Sequence, residues 1–501
     1  MRILFRVDAS LAIGVGHVSR CLTLANRLIK DGAEVFFACR NIEGHQRSEI
    51  IQNGFQTFLF DCDQDIDQIC YNQVADFQAM VLALGDNLAF DWVVVDHYRL
   101  DAAWEQLASG IAKRILVIDD LADRDHVSDF LLDQNYFIDA QSRYKKLTPF
   151  WCRKFIGEQY VLLREEFFQI GLVRDKVPEK KRVLVSFGGT DPQNLTIKIL
   201  QLLAIHFNHL QVDVLLSSKN PDKCAIEALC QNHANFQLYV DEKNVAALMA
   251  QADVALGAGG ITTYERIFMQ LPSIVVAVAD NQYLPLLQMS EANTLHFLGR
   301  SEELMESNWL AALKSWFAGE LGPLEFLPVA ERTAHMADSM GIELLNFGIE
   351  HIEKTFTFIQ DPLVQSQFVV RTPFDLRVHN LYWDSKLKSG KEYIFAIHHH
   401  ACHIGNCGLK KMDASDDYEA WIYIGDLNAR NRGLGETAFC FLLRYAFVNM
   451  KLPILYLSVL DDNLKAIALY QKFGFVRVQS GGRPSAWSES QRQVSTWALT
   501  V

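Results

Sequence analysis

An apolar strand, Ile3–Leu4–Phe5, leads through Arg6–Val7–Asp8 into a turn that carries Gly14 and Gly16, and a helix follows from His17 through Cys21–Leu22–Thr23–Leu24–Ala25. This junction constrains the fold more than any other feature of the chain. A strand that passes through glycines into a helix belongs to the α/β folds, which place their chemistry at such turns. Gly14 and Gly16 let backbone amides approach a ligand closely, and His17 is set at a helix N-terminus beside a potential anion site. A tight packing corner would have the same composition, so the rest of the chain has to decide.

The same pattern recurs. Val35–Phe36–Phe37–Ala38, Trp92–Val93–Val94–Val95–Asp96 and Ile115–Leu116–Val117–Ile118–Asp119 are continuous apolar runs suited to a parallel sheet covered on both faces. A charged linker, Arg174–Asp175–Lys176–Val177–Pro178–Glu179–Lys180–Lys181–Arg182, precedes a second series. That series opens with Val183–Leu184–Val185–Ser186–Phe187 and continues with Val212–Asp213–Val214–Leu215–Leu216, Val254–Ala255–Leu256 and Ile274–Val275–Val276–Ala277–Val278. After about residue 340 the pattern changes to a strand, Ile342–Phe347, a helical stretch to Ile359, and antiparallel strands around Tyr393–Ile397 and Ala420–Ile424. At 501 residues and about 150 residues per domain, three domains are expected. They are a Rossmann-like domain over 1–175, a second over 176–340 that forms a cleft with the first, and an α+β domain over 341–501.

Composition excludes several classes of function. A net charge of −13 argues against a nucleic-acid surface. No apolar run is long enough to span a bilayer, and the N-terminal segment is a strand rather than a signal peptide, so no membrane partner is expected. Ten cysteines without a regular framework fit free thiols in a reducing, cytoplasmic setting. Small molecules or proteins remain as partners, and oligomeric state is not legible.

The second series offers two more ligand-facing turns. Ser186–Phe187–Gly188–Gly189–Thr190–Asp191–Pro192 follows its first strand, and Gly257–Ala258–Gly259–Gly260–Ile261–Thr262–Thr263–Tyr264–Glu265 follows Val254–Ala255–Leu256. Both are expected to present free N–H groups at a helix N-terminus, which is what holding a diphosphate without a metal requires. Neither has the lysine of a P-loop.

The order of Gly14–Val15–Gly16–His17, Gly188–Gly189–Thr190, the Gly259-to-Glu265 helix start and Asp280–Asn281–Gln282 resembles GT-B enzymes acting on UDP-sugars. Phe5–Arg6–Val7–Asp8, Asp96–His97–Tyr98, Asp119–Asp120, Leu163–Arg164–Glu165–Glu166–Phe167 and Asn281–Gln282 bring residues 1–340 closer to the UDP-sugar hydrolases of pseudaminic acid biosynthesis. That resemblance implies cleavage of the glycosyl C–O bond of UDP-2,4-diacetamido-2,4,6-trideoxy-β-L-altropyranose, with water as acceptor and UDP leaving. It casts His17 as general base, with the helix N-terminus expected to lower its pKa and keep it neutral near pH 7, and places Tyr98 at the cleft. The UDP-sugar would be held by Gly14, Gly16, Gly188, Gly189, Thr190, Gly260, Ile261 and Thr262, with Glu265 on the ribose hydroxyls and Asn281 and Gln282 near the sugar. Structural alternatives stand beside these roles: His17 as a helix cap, Tyr98 as a strand-end hydrogen-bonding group, Glu265 as a first-turn acid, and Arg164 paired with Glu165 or Glu166.

In the third domain the strand Trp421–Ile422–Tyr423–Ile424 precedes Arg430–Asn431–Arg432–Gly433–Leu434–Gly435–Glu436–Thr437–Ala438, and Leu455–Val459, Asn463, Ala466, Leu469, Tyr470 and Phe473–Gly474–Phe475 follow. The two segments in this order resemble the GNAT N-acetyltransferase superfamily. The resemblance implies acetyl-CoA as cosubstrate, with pantetheine against the backbone of Ile422, Tyr423 and Ile424. The pyrophosphate would lie on Arg430, Arg432, Gly433, Leu434 and Gly435, with Asn463 orienting cofactor or helix. Tyr470 would return a proton to the coenzyme A thiolate. No motif marks the base that the acceptor amine needs. His398, His399, His400, Cys402, His403 and Cys407 offer six potential metal ligands, but residues along a strand alternate between faces, so they are expected to form a polar hairpin edge and no metal is called for.

The expected protein is a bifunctional enzyme that N-acetylates UDP-4-amino-4,6-dideoxy-N-acetyl-β-L-altrosamine and then hydrolyses the product. The motifs leave open a GT-B glycosyltransferase with an alcohol acceptor, a non-catalytic acetyl-CoA-binding module, and a sugar of other configuration.

Overall fold

The computed structural model describes residues 1–10, 14–62, 71–170, 181–189, 191, 193–321, 324–366, 375–390, 392–412, 415–484 and 493–500. Thr190 and most of the charged linker lie outside the described residues. The chain forms two compact units, one of residues 1–147 and 154–333 and the other of 148–153 and 334–501.

The first unit contains two sheets of like topology. Strands β1 (Arg2–Val7), β2 (Glu34–Arg40), β3 (Gln56–Phe60), β4 (Phe90–Asp96), β5 (Ala112–Ile118), β6 (Phe130–Asp133) and β7 (Arg153–Ile156) lie in the order β3-β2-β1-β4-β5-β6-β7. Strands β8 (Arg182–Ser186), β9 (Gln211–Leu216), β10 (Phe236–Val240), β11 (Val254–Ala258), β12 (Ser273–Ala277) and β13 (His296–Arg300) lie in the order β10-β9-β8-β11-β12-β13. Among the described residues, the strands β1–β6 and β8–β13 pair in parallel. The continuous apolar runs explain this architecture. Ile3, Leu4, Phe5 and Val7 are all completely buried, so both faces of the strand are covered. Each such Leu, Ile or Phe side chain contributes roughly 1.5–3 kcal/mol by leaving water.

In both sheets the chain starts in the middle, builds outward to one edge, and returns to the other side of its first strand. The order reverses between β1 and β4 in the first sheet and between β8 and β11 in the second. Crevices at the carboxyl ends of strands flanking such a reversal are where open α/β sheets bind ligands. The glycine turns singled out in the sequence follow β1, β8 and β11, at these two reversals.

The second unit is built on β14 (Ile342–Asn346), β15 (Glu392–His399), β16 (Cys402–Lys411), β17 (Tyr418–Ile424), β18 (Ile454–Leu460), β19 (Val476–Pro484) and β20 (Gln493–Thr500), in the order β14-β15-β16-β17-β18-β20-β19. Among the described residues every pairing is antiparallel except β17 with β18. The helix Leu434–Arg444 packs on this sheet, with Gly433, at φ 76°, in the cap position.

Candidate active sites

The loops after β1, β4, β8, β11 and β12 line one cleft of about 840 Å³ in the first unit. Its walls include Gly14, Gly16, His17, Tyr98, Gly188, Gly189, Gly260, Ile261, Thr262, Asn281 and Gln282, so the structure brings together nearly every cleft residue expected from the sequence. Gly14 has φ 80°, a left-handed conformation that glycine adopts without strain, and its N–H closes the turn on the carbonyl of Ser10 at 2.9 Å.

His17 is the second residue of the helix Gly16–Lys30 and only 8% exposed. Its Nδ1 lies 2.5 Å from Asp96 Oδ1, at the end of β4. Arg20, one helical turn further on, grips both oxygens of the same carboxylate at 2.6 Å. Burial would raise the Asp96 carboxyl, but the Arg20 guanidinium and His17 hold it well below the usual carboxylate range. An ionised Asp96 only accepts hydrogen bonds, so Nδ1 carries the proton and Nε2 is the basic nitrogen. The expectation from the helix terminus alone omitted this carboxylate, which fixes the ring's orientation and tautomer. Tyr98 stands edge-on to the imidazole with ring centroids 4.6 Å apart. Its hydroxyl donates to Asp120 at 3.2 Å and accepts from Asn281 Nδ2 at 3.1 Å. Burial and the neighbouring Asp120 push its pKa far up, so the phenol keeps its proton.

A second histidine–carboxylate pair, His97 with Asp8, also lines the cleft. Arg6, fully buried, binds Asp8 at 2.7 Å, and the Arg40 N–H donates to it at 2.7 Å. His97 Nε2 is 3.3 Å from Asp8, and its Nδ1 accepts from the Arg99 N–H at 3.0 Å. Both ring nitrogens are thereby engaged, and burial lowers the pKa of the ring, so His97 is neutral without being an available base. Asp8 and His97 stand in the sequence motifs, but their pairing joins residues far apart in the chain and had no local signal.

Across the cleft, the helix Ile261–Phe268 begins at Gly260, φ 107°, with no side chain capping it. The first-turn amides of Ile261 and Thr262 therefore face the cleft as donors. The Gly188–Gly189 turn differs from expectation. The helix after it starts only at Leu195, and the carboxylate of Asp191 accepts from the N–H groups of Leu195 and Thr196 at 3.0 and 2.8 Å. That helix terminus is filled by its own chain, so Gly188 and Gly189 contribute only as lining. Glu265 is also corrected. It is buried, lies outside the cleft lining and binds Arg164 at 3.1 Å, one helical turn further along the axis from Ile261 and the helix N-terminus. Arg164 also pairs with Glu166 at 2.8 Å. Gln282 lines the cleft, but its Oε1 is committed to the Val278 N–H at 3.0 Å. The lysine-free lining contains two arginines, Arg20 and Arg99. Arg20 is neutralised by Asp96 and Asp120, whereas Arg99 is exposed; nothing in the sequence motifs pointed to it.

In the second unit, β17 and β18 pair only at Tyr418, Glu419 and Ala420. From Trp421 to Ile424 the strand pairs with β16 alone, so its other edge is bare where Ile422, Tyr423 and Ile424 were expected to meet a cofactor. The helix starting at Leu434 follows, and its first-turn amides at Leu434 and Gly435 have no intrahelical acceptor. Both arginines of the loop are already paired. Arg430 binds Asp361 at 3.1 Å and the carbonyl of Ile424, and Arg432 binds Asp338 at 2.6 Å. Their first role here is to hold the loop. Asn463 caps the helix Leu464–Lys472 by accepting from the Ala466 N–H at 3.2 Å. Tyr470 is 8% exposed, packed against Phe439 and Phe475, and burial pushes its pKa up to about 12.

The histidine-rich hairpin forms as β15 and β16, with His398 opposite His403 and His399 opposite Cys402. Alternation puts His398 and His399 on opposite faces of the strand. Donor atoms of Asp338, His399 and His400 come within 4.8 Å of one another, close enough to hold a metal ion, although Arg432 already occupies the carboxylate. His398 and His403 meet His351 instead.

Comparison with known proteins divides the chain the same way. Residues 342–476 match the acetyltransferase (GNAT) domain. The UDP-2,4-diacetamido-2,4,6-trideoxy-β-L-altropyranose hydrolase of Campylobacter jejuni is 28% identical over 285 residues, 56% of this chain and 93% of its own. An uncharacterized protein of Methanocaldococcus jannaschii is 22% identical over 516 residues, 97% of this chain and 99% of its own. The crystal structure of spermidine N-acetyltransferase from Vibrio cholerae, with coenzyme A and spermine, covers 32% of this chain and 95% of its own at 17% identity, with a TM-score of 0.30. The chain is thus an enzyme that joins an N-terminal half similar to UDP-sugar hydrolases to a GNAT acetyltransferase domain. No helix among the described residues is long and apolar enough to cross a membrane.

Proposed function

We propose that the protein acetylates the 4-amino group of UDP-4-amino-4,6-dideoxy-N-acetyl-β-L-altrosamine with acetyl-CoA. It then hydrolyses the resulting UDP-2,4-diacetamido-2,4,6-trideoxy-β-L-altropyranose to the free sugar and UDP. The observation that carries the hydrolytic half is the His17–Asp96 pair, with its free Nε2 on a cleft lined by the turns of two strand-order reversals. In this reading Nε2 takes a proton from water as its oxygen attacks the anomeric carbon, a role worth roughly 10² to 10⁴ in rate. The glycosyl C–O bond breaks toward UDP, which keeps the electron pair. Backbone amides at Gly260, Ile261 and Thr262, rather than a metal ion, receive the leaving diphosphate, with Arg99 as the added positive charge. In this reading Tyr98 and Asn281, hydrogen-bonded to each other, meet the sugar. Glu265 has no part in it.

For the acetyltransferase half, the bare edge of Trp421–Ile424 takes the pantetheine and the amides of Leu434 and Gly435 take the pyrophosphate. Tyr470, protonated at neutral pH, supplies a proton to the departing thiolate. Incubating the protein with the UDP-4-amino sugar, with and without acetyl-CoA, and following acetyl-sugar and UDP by mass spectrometry tests the order. Acetylation should precede UDP release, and UDP release at the same rate without acetyl-CoA would overturn it.

A further inference from the structure

The tip of the hairpin formed by β15 and β16 carries residues that its shape disfavours. His400 and Ala401 join His399 to Cys402 with φ of 45° and 65°. A two-residue turn with both residues left-handed favours asparagine and glycine, because a Cβ crowds the backbone there. Neither stands in this turn. Backbone held in such a region is found where a side chain has to be aimed, and here the turn aims His400 back at its neighbours. The His400 ring lies over Gly341, where a Cβ would come within 2.6 Å of it, and the His400 N–H donates to the Gly341 carbonyl at 3.1 Å. The His399 and His400 rings have centroids 4.3 Å apart. Asp338, near the end of the helix Thr333–Met340, completes the group, and one donor atom from each of the three residues lies within 4.8 Å of the others.

Two further contacts orient these donors. His399 Nε2 is 3.1 Å from the backbone carbonyl of Asp338, which can only accept, so Nε2 carries the proton and the lone pair stands on Nδ1. Ligating histidines characteristically give their second nitrogen to a carbonyl in this way, and ligating carboxylates are themselves hydrogen-bonded. Arg432 supplies that bond, to Asp338 Oδ2 at 2.6 Å, and a carboxylate keeps lone pairs for a ligand besides. The group is accessible: the Asp338 side chain is 14% exposed and His400 is exposed.

We propose that Asp338, His399 and His400 form a binding site for a divalent transition-metal ion of the zinc class. Two imidazoles and one carboxylate select such a borderline ion over magnesium and calcium, which take oxygen ligands. Ligands about 2.1 Å from a tetrahedral zinc ion stand roughly 3.4 Å apart, so donors within 4.8 Å reach it by side-chain rotation. Water takes the fourth position. The Arg432 guanidinium opposes the ion's charge, so binding is weaker than at a four-ligand structural site. The bound ion ties the hairpin tip to the end of the helix Thr333–Met340 and, through Asp338 and Arg432, to the loop that precedes Leu434. That tie offsets the strain of the turn and accounts for a histidine where asparagine would fit more easily.

The test titrates the metal-free full chain with Co²⁺, whose visible absorption reports tetrahedral ligation and to which cysteine ligation adds a separate sulfur-to-metal band. Zn²⁺ then displaces the probe, and thermal unfolding is followed with and without Zn²⁺. The variants are His400→Asn, His399→Gln and, for the separate imidazole group of His351, His398 and His403, His351→Gln. Asparagine suits a left-handed turn, so metal-free His400→Asn should fold and unfold at or above the parent's temperature. The proposal expects one Co²⁺ per chain with a tetrahedral spectrum, and an affinity lower by about tenfold or more in His400→Asn and His399→Gln but not in His351→Gln. Zn²⁺ should raise the Tm of the parent and not of the first two variants. No binding by the parent, a cysteine-type spectrum, loss of binding in His351→Gln, or an affinity of His400→Asn within about threefold of the parent's would overturn the proposal.

Discussion

The cleft of the first unit holds two histidines beside buried carboxylates, and only one is available for proton transfer. His17 gives one nitrogen to Asp96 and keeps the other, whereas His97 is bonded through both, to Asp8 and to the Arg99 N–H. The residue types are identical and the sites are adjacent. What separates a base from a strut is the count of engaged nitrogens, set by whether the next turn of backbone closes on the ring.

Breaking the pairs should expose that difference. His17→Gln is expected to lower kcat for UDP release by roughly 10² to 10⁴ while leaving UDP affinity in place, checked by steady-state kinetics and calorimetry. Asp96→Asn should cost up to about 10⁴-fold in kcat by favouring the wrong tautomer. It should also destabilise the fold, because Arg20 keeps only Asp120 of its two carboxylate partners, and denaturant unfolding measures this. Arg99→Gln removes a cation without disturbing the backbone N–H that binds His97. A rise in KM of about tenfold with little change in kcat is expected, matching one charge-assisted hydrogen bond.

His97→Gln should change turnover least and alter pH dependence instead. Burial depresses the pKa of His97 in the folded state below its ordinary 6.5. The unfolded chain therefore binds that proton first as pH falls, and stability that is complete above 6.5 is lost progressively below it. Thermal midpoints between pH 7 and 5 should fall less steeply for the variant than for the parent.

The contrast also marks what the sequence made legible. Runs such as Trp92–Val95 and Ile274–Val278 announced buried parallel strands, and Gly14, Gly188 and Gly260 marked turns because left-handed backbone needs glycine locally. His17 was legible for the same reason. Its partner Asp96 was visible as a strand end but not as a partner, since pairing across 79 positions depends on which strand lies beside β1. Glu265 follows the same logic. A helix-start motif says where a carboxylate lies along the helix, and Arg164, 101 positions away, decided which way it faced. Asp191 shows the limit in miniature, because a turn rich in small residues offers its amides to a ligand only if no nearby side chain takes them first.

The most direct measurement is hydrolysis in ¹⁸O-water, with UDP analysed by mass spectrometry for the parent and for His17→Gln. If His17 directs water to the anomeric carbon, the parent releases UDP free of ¹⁸O and the variant loses nearly all of that release. UDP carrying ¹⁸O, which means attack at phosphorus, or a variant that releases UDP at the parent's rate, would contradict the account.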